Sequence, residues 1–216
     1  MKALCAAVLL SAIPTMAQHV GSEFVGLDQA RKQIFKNERV AAYSQQIPPG
    51  RSFAMKNIRD TISVSVNGEG NDVVKLHPAG TSVSIKNTWK DSLRSVEVEF
   101  AEPIGPTEPP TAKRAHYCND EDKKACVTEN FLFCTPKLCV EEVTMAPGAR
   151  STRHSHDTEH MLVAISDYPL VDDVSGKGLM DRTVKSGGVE YLPAGITHVL
   201  TNAGKSEVRL VAIIFR

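Results

Sequence analysis

Apolar and polar residues alternate along much of this chain, and the run Ile62-Ser63-Val64-Ser65-Val66 is the clearest instance. Alternation with a period of two places the apolar side chains on one face of a β-strand. Such runs predict an all-β protein. Leu27 to Arg39 departs from the pattern. There Leu27, Ala30, Ile34 and Phe35 fall on roughly one helical face, which predicts a short N-terminal helix capped by Asp28 or Ser22. Ala101 to Pro110 is rich in proline and reads as an inter-domain connection. The stretch Val171 to Lys185, with Gly176 and Gly178, reads as a hairpin extension or a lid.

The first residues are patterned differently again. Lys2 is followed by an apolar run from Ala3 to Ile13, and Thr15-Met16-Ala17 offers small residues for cleavage. This is the layout of an export signal over 1–17, and the run is too short to span a bilayer as a mature helix. An uncleaved N-terminal anchor is the alternative. The expected location is secreted or periplasmic, with no membrane contact once the signal is removed. Cys5 would leave with the signal. Cys118, Cys126, Cys134 and Cys139 remain, an even number in an exported chain, which predicts two disulfides with three pairings open. A zinc site made of these thiolates would normally show closer C-x-x-C pairs. With 25 basic and 25 acidic residues the chain carries no net charge, which argues against a nucleic-acid partner.

Four of the seven histidines fall in two fragments, His154-Ser155-His156-Asp157-Thr158-Glu159-His160 and Pro193-Ala194-Gly195-Ile196-Thr197-His198. His154, His156 and His160 share strand parity, so one continuous strand would aim all three inward, with Glu159 pointing away. His198 arrives from a second strand. Four neutral nitrogen donors suit one divalent transition metal (Fe, Mn, Ni, Zn or Cu). Pro193, Gly195 and Asn202 are expected to shape the turn and its exit.

These fragments carry a family resemblance. Gly148, five residues, then His154-x-His156 matches the first signature of the cupins, with His160 in place of the usual glutamate and Asp167 where Gly normally closes the signature. Gly187, Pro193, Gly195, His198 and Asn202 match the second signature without a gap. The segment therefore resembles a cupin, which implies a jelly-roll barrel of antiparallel strands around a metal ion.

The first half echoes the second. Pro78-Ala79-Gly80 and Asn87 have the spacing of Pro193-Ala194-Gly195 and Asn202, and Lys90, Arg94, Val96 and Phe100 fall opposite Lys205, Arg209, Val211 and Phe215. Pro49-Gly50 falls opposite Pro147-Gly148, and the second copy is longer by 17 residues between the signatures. The chain thus resembles a two-cupin protein: a degenerate N-terminal cupin over 18–101, a Pro-rich, Cys-containing linker over 102–139, and a metal-binding cupin over 140–216. In the first copy the ligand positions read Lys56, Ile58, Ile62 and Val83, three of them unable to bind metal. Its barrel is expected to be packed and dry, with Lys56 at the mouth or, on the functional reading, in a vestigial anion pocket.

Four histidines leave an octahedral ion two open positions. Without a carboxylate ligand the charge of the ion is uncompensated, which disfavours chemistry through trivalent manganese and favours Lewis-acid work or dioxygenation. Two functions follow: an oxygenase-like or lyase-like enzyme on a small oxygen-rich molecule, or a non-catalytic protein that binds metal or a small ligand. A homodimer is compatible with either, since paired cupins dock within or between chains. A general acid or base in the pocket would favour the enzyme. Thr158 is a poor base, and Glu159 would need a bulge to turn inward.

Overall fold

The structure, a computed structural model, describes residues 23–25, 31–66, 73–111 and 114–216. The export signal expected over 1–17 lies outside the described residues. The strands of the first half are β1 (Glu23–Val25), β2 (Arg31–Lys36), β3 (Val40–Ile47), β4 (Ser52–Lys56), β5 (Thr61–Ser65), β6 (Val74–His77), β7 (Ser82–Lys86) and β8 (Leu93–Phe100). Those of the second half are β9 (Arg114–Cys118), β10 (Cys126–Cys134), β11 (Leu138–Met145), β12 (His154–His156), β13 (His160–Ala164), β14 (Tyr168–Val174), β15 (Gly178–Val184), β16 (Val189–Leu192), β17 (Ile196–Asn202) and β18 (Val208–Phe215). Each half is a barrel of two antiparallel sheets. The first pairs the orders β2-β3-β8-β5-β6 and β1-β4-β7; the second pairs β16-β13-β18-β11-β10-β9 and β12-β17-β14-β15.

Two sequence expectations are corrected here. The helix expected over Leu27–Arg39 is a strand over Arg31–Lys36 (residues 26–30 lie outside the described ones). β2 is bulged against β3 between Gln33 and Phe35. A bulge interrupts strict alternation, so the adjacent Ile34 and Phe35 imitate helical spacing. The segment expected as linker over 102–139 contains β9, β10 and the start of β11, the outer strands of the six-stranded sheet. Its polar and cysteine content hid its alternation.

The cysteines explain themselves through register. Cys118 lies directly opposite Cys126 across β9 and β10, and Cys134 opposite Cys139 across β10 and β11. Both pairs are bridged. They close loops with sequence separations of 8 and 5 residues. Loops this short stabilise by roughly 2 kcal/mol each through chain entropy. Urea unfolding with and without reductant is expected to differ by about twice that amount, and non-reducing mass spectrometry is expected to find no free thiol in protein lacking its signal. Equal stability of the reduced and oxidised forms would show that the bridges merely decorate a hairpin already formed.

The two barrels share a core. Val40, Ile62, Val64, Val96, Val98 and Phe100 of the first half form one buried cluster with Leu138, Val140, Met161, Val163, Val211, Ile213 and Phe215 of the second. The five- and six-stranded sheets therefore pack face to face, and strands that read as continuous apolar runs, such as β13 and β18, are covered on both faces. Ion pairing adds to the contact at the edge, where Arg39 Nε lies 3.1 Å from Glu159 Oε2.

The repeat is visible in hydrogen bonds. Gly80 N donates to Asn57 O as Gly195 N donates to His156 O, and Phe100 N to Asp60 O as Phe215 N to Glu159 O. Gly80 and Gly195 both take positive φ, +83° and +80°, which the turn requires. Asn87 Nδ2 donates to the carbonyls of Ile47 and Asp91, and Asn202 Nδ2 to those of Met145, Ala146 and Ser206. These asparagines tie the strand exit to the neighbouring loops, the structural role expected of them.

The same correspondences correct the alignment of the ligand positions. Met55 faces Val83 across β4 and β7 as His154 faces His198 across β12 and β17. The positions matching His154, His156, His160 and His198 are therefore Met55, Asn57, Thr61 and Val83, in place of Lys56, Ile58, Ile62 and Val83. The cause is one extra residue in the second copy. Its register shifts between the bridge Arg150↔Thr201 and the pair His154↔His198, whereas β4 and β7 keep one register from Ser52↔Lys86 to Lys56↔Ser82. Lys56 is exposed, Ile58 is 37% exposed, and Ile62 is buried at the inter-barrel core.

Candidate metal centre

Within the second barrel, strand pairing brings the histidines together. His154 and His198 are direct partners across β12 and β17, and His156 lies one pleat further on the same face. Ligand nitrogens of His154, His156 and His198 all lie within 4.8 Å of one another. The ring centroids are 4.7 Å apart for His154 and His198 and 5.2 Å for His156 and His198. His160 faces the same cavity but is not a member of that three-residue set. Its ring stacks on that of His156 at 3.9 Å and stands 6.4 Å from that of His198. The single strand expected to carry all three histidines is broken: residues 157–159 turn, and β13 continues in the other sheet. Parity survives the corner, so His160 still points inward. Glu159 points away, to Arg39.

Within the histidine cluster two buried nitrogens lack a hydrogen-bond partner, His198 Nε2 and His160 Nδ1. The rest of His198 is held from behind. Its Nδ1 donates to Asp172 Oδ1 at 2.9 Å, which leaves the Nε2 lone pair facing the other imidazoles. Asp172 is fully buried on β14 and accepts from Arg182 Nε at 2.7 Å; Arg182 also pairs with Glu190. His154 Nδ1 lies 2.8 Å from the carbonyl of Thr152 and donates to it, presenting Nε2. Burial holds His156 down to about 4 and His160 down to about 3, with the neighbouring imidazoles adding to the effect. Burial lowers His198 as well, so His156, His160 and His198 are neutral donors at neutral pH. An orphan buried Nε2, its carboxylate orienter and two converging imidazoles fit a divalent transition-metal ion.

Sequence reasoning missed Asp172, Glu129 and Glu141. The hairpin β14–β15, which had read as an extension or lid, is a wall of the barrel beside β17 and supplies Asp172. Glu129 on β10 and Glu141 on β11 line the histidine cavity, whose volume is about 50 Å³. Tyr117 donates its hydroxyl to Glu129 Oε1 at 2.8 Å. Burial, then the neighbouring Glu129, pushes the Glu141 carboxyl up to about 7. Leu162, Leu200 and Leu210 complete an apolar lining. A wider recess of about 390 Å³, lined by Tyr117, Arg150 and Arg153 among others, adjoins the cavity at Ser151. The signal for the glutamates was their shared inward parity on β10 and β11, legible only once those strands are recognised as strands.

No family profile matches this chain, and a comparison with curated proteins finds no match. Solved structures do match by fold. AerE from Microcystis aeruginosa is 12% identical with a TM-score of 0.63, covering 91% of this chain and 97% of that one. Bacillus subtilis oxalate decarboxylase, described with Mn(II) centres, is 12% identical with a TM-score of 0.54, covering 89% and 74%. A variant of salicylate 1,2-dioxygenase from Pseudoaminobacter salicylatoxidans, in complex with gentisate, is 11% identical with a TM-score of 0.53, covering 88% and 75%.

Proposed function

We propose that this chain, a two-barrel cupin by fold, is an exported enzyme that holds one divalent transition-metal ion in its second barrel and acts on a small oxygen-rich molecule, by oxygenase-like or lyase-like chemistry. The observation that carries the reading is the convergence of His154, His156 and His198 on the unpartnered Nε2 of His198. These three residues, with His160 beside them, would hold the ion. A metal bound there would supply Lewis acidity at the floor of the cavity. Asp172 keeps His198 in the tautomer that presents Nε2. The two disulfides support an oxidising compartment.

The glutamate pair favours an enzyme over a passive binder. A carboxyl that titrates near neutrality can both give and take a proton. Glu141 carries its proton below about pH 7 and loses it above. Beside it, Glu129 accepts the Tyr117 hydroxyl. Two inward carboxyls beside three imidazoles are costly to bury for packing alone. The small volume at the histidines, about 50 Å³, favours the second reading, a protein that binds a metal without turning over an organic substrate.

The test is elemental analysis of protein purified from its native compartment, then a screen of catechols, diketones and small organic acids. Glu141→Gln is expected to keep close to one ion per chain and to lower turnover by about 10²-fold or more. The same variant has a signature without substrate. A carboxyl raised in the folded state binds its proton more tightly folded than unfolded. In chelated protein its contribution therefore favours folding less as pH rises from about 4.5 to about 7. Glu141→Gln is expected to remove that component of the pH profile. Unchanged turnover in Glu141→Gln would leave the glutamates without a catalytic role; a metal-loaded protein inert to the whole screen would favour the binder.

A further inference from the structure

The first barrel is open where it was expected to be packed. Its interior holds a cavity of about 440 Å³. The comparison between the two barrels explains the space. In the second barrel, Tyr168 and Leu170 of β14 fill the interior beside β17. Among the described residues, β7, which corresponds to β17, has β4 on one side and no strand on the other.

The residues of the cavity floor have also changed character. Ser63 faces Glu97 across β5 and β8, where the second barrel sets Leu162 against Ala212. Gln45 faces Ser95 across β3 and β8, where the second barrel sets Val143 against Leu210. Four positions that are apolar in one barrel are thus polar in the other. Glu97 is 1% exposed and accepts hydrogen bonds from Ser63 and, at 2.8 Å, from Ser95. Gln45 is 3% exposed, and its Nε2 has no partner. The opposite wall is apolar, formed by Ile47, Val83, Ile85 and Leu93. Trp89, 55% exposed, stands against the same cavity.

We propose that the first barrel is a separate, metal-free binding site for a small neutral cyclic polyol of the monosaccharide kind. Such a molecule has an apolar face for Trp89 and the aliphatic wall and a rim of hydroxyls for the floor. Glu97 has carboxylate lone pairs beyond those used by the two serines, and can accept from ligand hydroxyls. Ser63 and Ser95 line the cavity and can exchange roles because a hydroxyl both donates and accepts, and the unpartnered amide of Gln45 stands opposite Ser95 across β3 and β8. The volume lies in the range of pockets that enclose small molecules. Lys75, His77 and Arg94 line the cavity along with Glu97, so groups of both signs meet there and the lining as a whole suits a neutral ligand. The imidazole set that marks the other barrel is replaced at the matching positions by Met55, Asn57, Thr61 and Val83, of which Met55 and Val83 pack with the aliphatic wall.

Trp89 is the only tryptophan in the chain, so its fluorescence reports on this cavity directly. The full chain is titrated with D-glucose, D-galactose, D-mannose and myo-inositol, and in parallel with salicylate as a flat hydroxylated anion. At least one polyol is expected to give a saturable change at millimolar concentration. Glu97→Gln is expected to weaken it at least tenfold with an unchanged melting temperature. Ser63→Leu, which installs the second barrel's residue at its matching position, is expected to do the same, and keeps the test available should Glu97→Gln not fold. His198→Ala is expected to leave the response unchanged. The proposal is overturned if no polyol saturates the signal, if only salicylate does, if the response survives both floor substitutions, or if it disappears in His198→Ala.

Discussion

Replacing His198 by Ala is expected to abolish metal retention, because that residue brings the buried unpartnered Nε2 toward which His154 and His156 converge. Metal content after gel filtration is expected to fall from close to one ion per chain to a small fraction of it. Asp172→Asn is a subtler form of the same experiment. The residue does not reach the cavity floor itself; it fixes the His198 ring from behind at 2.9 Å and is itself fixed by Arg182. Loss of such a partner typically weakens metal affinity about 10–100-fold. His160→Ala is expected to weaken retention several-fold, since its ring borders the set without belonging to it. Glu159→Gln is expected to leave retention unchanged, because Glu159 faces Arg39 at the barrel junction. Chelator competition across the four variants gives the ranking. Stronger loss in Glu159→Gln than in His160→Ala would mean that the corner at 157–159 rearranges to bring the carboxylate inward. Retention of a full ion in His198→Ala would place the metal elsewhere.

Much of this site was legible in the chain because it depends on residue type and parity. An imidazole two residues from another on a strand shares its face whatever surrounds it. Parity holds even across the corner of the sheet. His156 and His160 do not lie on one strand, but an even number of steps separates them across the corner. Asp172 was not legible. It stands beside Asp173, and only the pairing of β14 with β17 decides which of the two faces His198 and which reaches Arg153 at the surface. Glu129 was hidden by the reading of β10 as linker, and Glu141, just inside the expected second barrel, by the loss of the β10 partner that shows which way it faces. Proline at 103–110 and four nearby cysteines imitate a connection, yet the cysteines sit opposite one another because the strands are paired.

The repeat was legible in its turns and misplaced in its strands. Pro-x-Gly and Asn are fixed by backbone needs that both copies share, so they align without error. One inserted residue between Arg150 and His154 leaves no mark in composition, but a shift of one on a strand exchanges inside for outside. That is why Ile58 and Ile62, read as interior packing of the first barrel, have other places. It is also why Ser63 could not be anticipated on the polar floor: the same shift had placed its neighbour Ile62 in the interior.

Ile62→Ala is expected to be among the most destabilising single changes in the first half. The side chain is fully buried and lies in the cluster shared with Met161, Ile213 and Phe215 of the second half. Truncating a residue so enclosed costs about 2–5 kcal/mol, the lost transfer energy plus the cavity that rigid sheets cannot close. Ile58→Ala, at a position 37% exposed, is expected to cost less than about 1 kcal/mol. The contrast tests the strand register directly, since a shift of one residue would bury Ile58 and reverse the order. It also tests whether the halves are independent. Because the inter-barrel cluster draws on both halves, Ile62→Ala is expected to move a single urea transition to lower denaturant, followed equally by Trp89 fluorescence and by far-ultraviolet dichroism. A variant in which the Trp89 signal moves and the dichroism keeps a second, unshifted transition would show that the second barrel stands alone and that the shared apolar face contributes little to holding it.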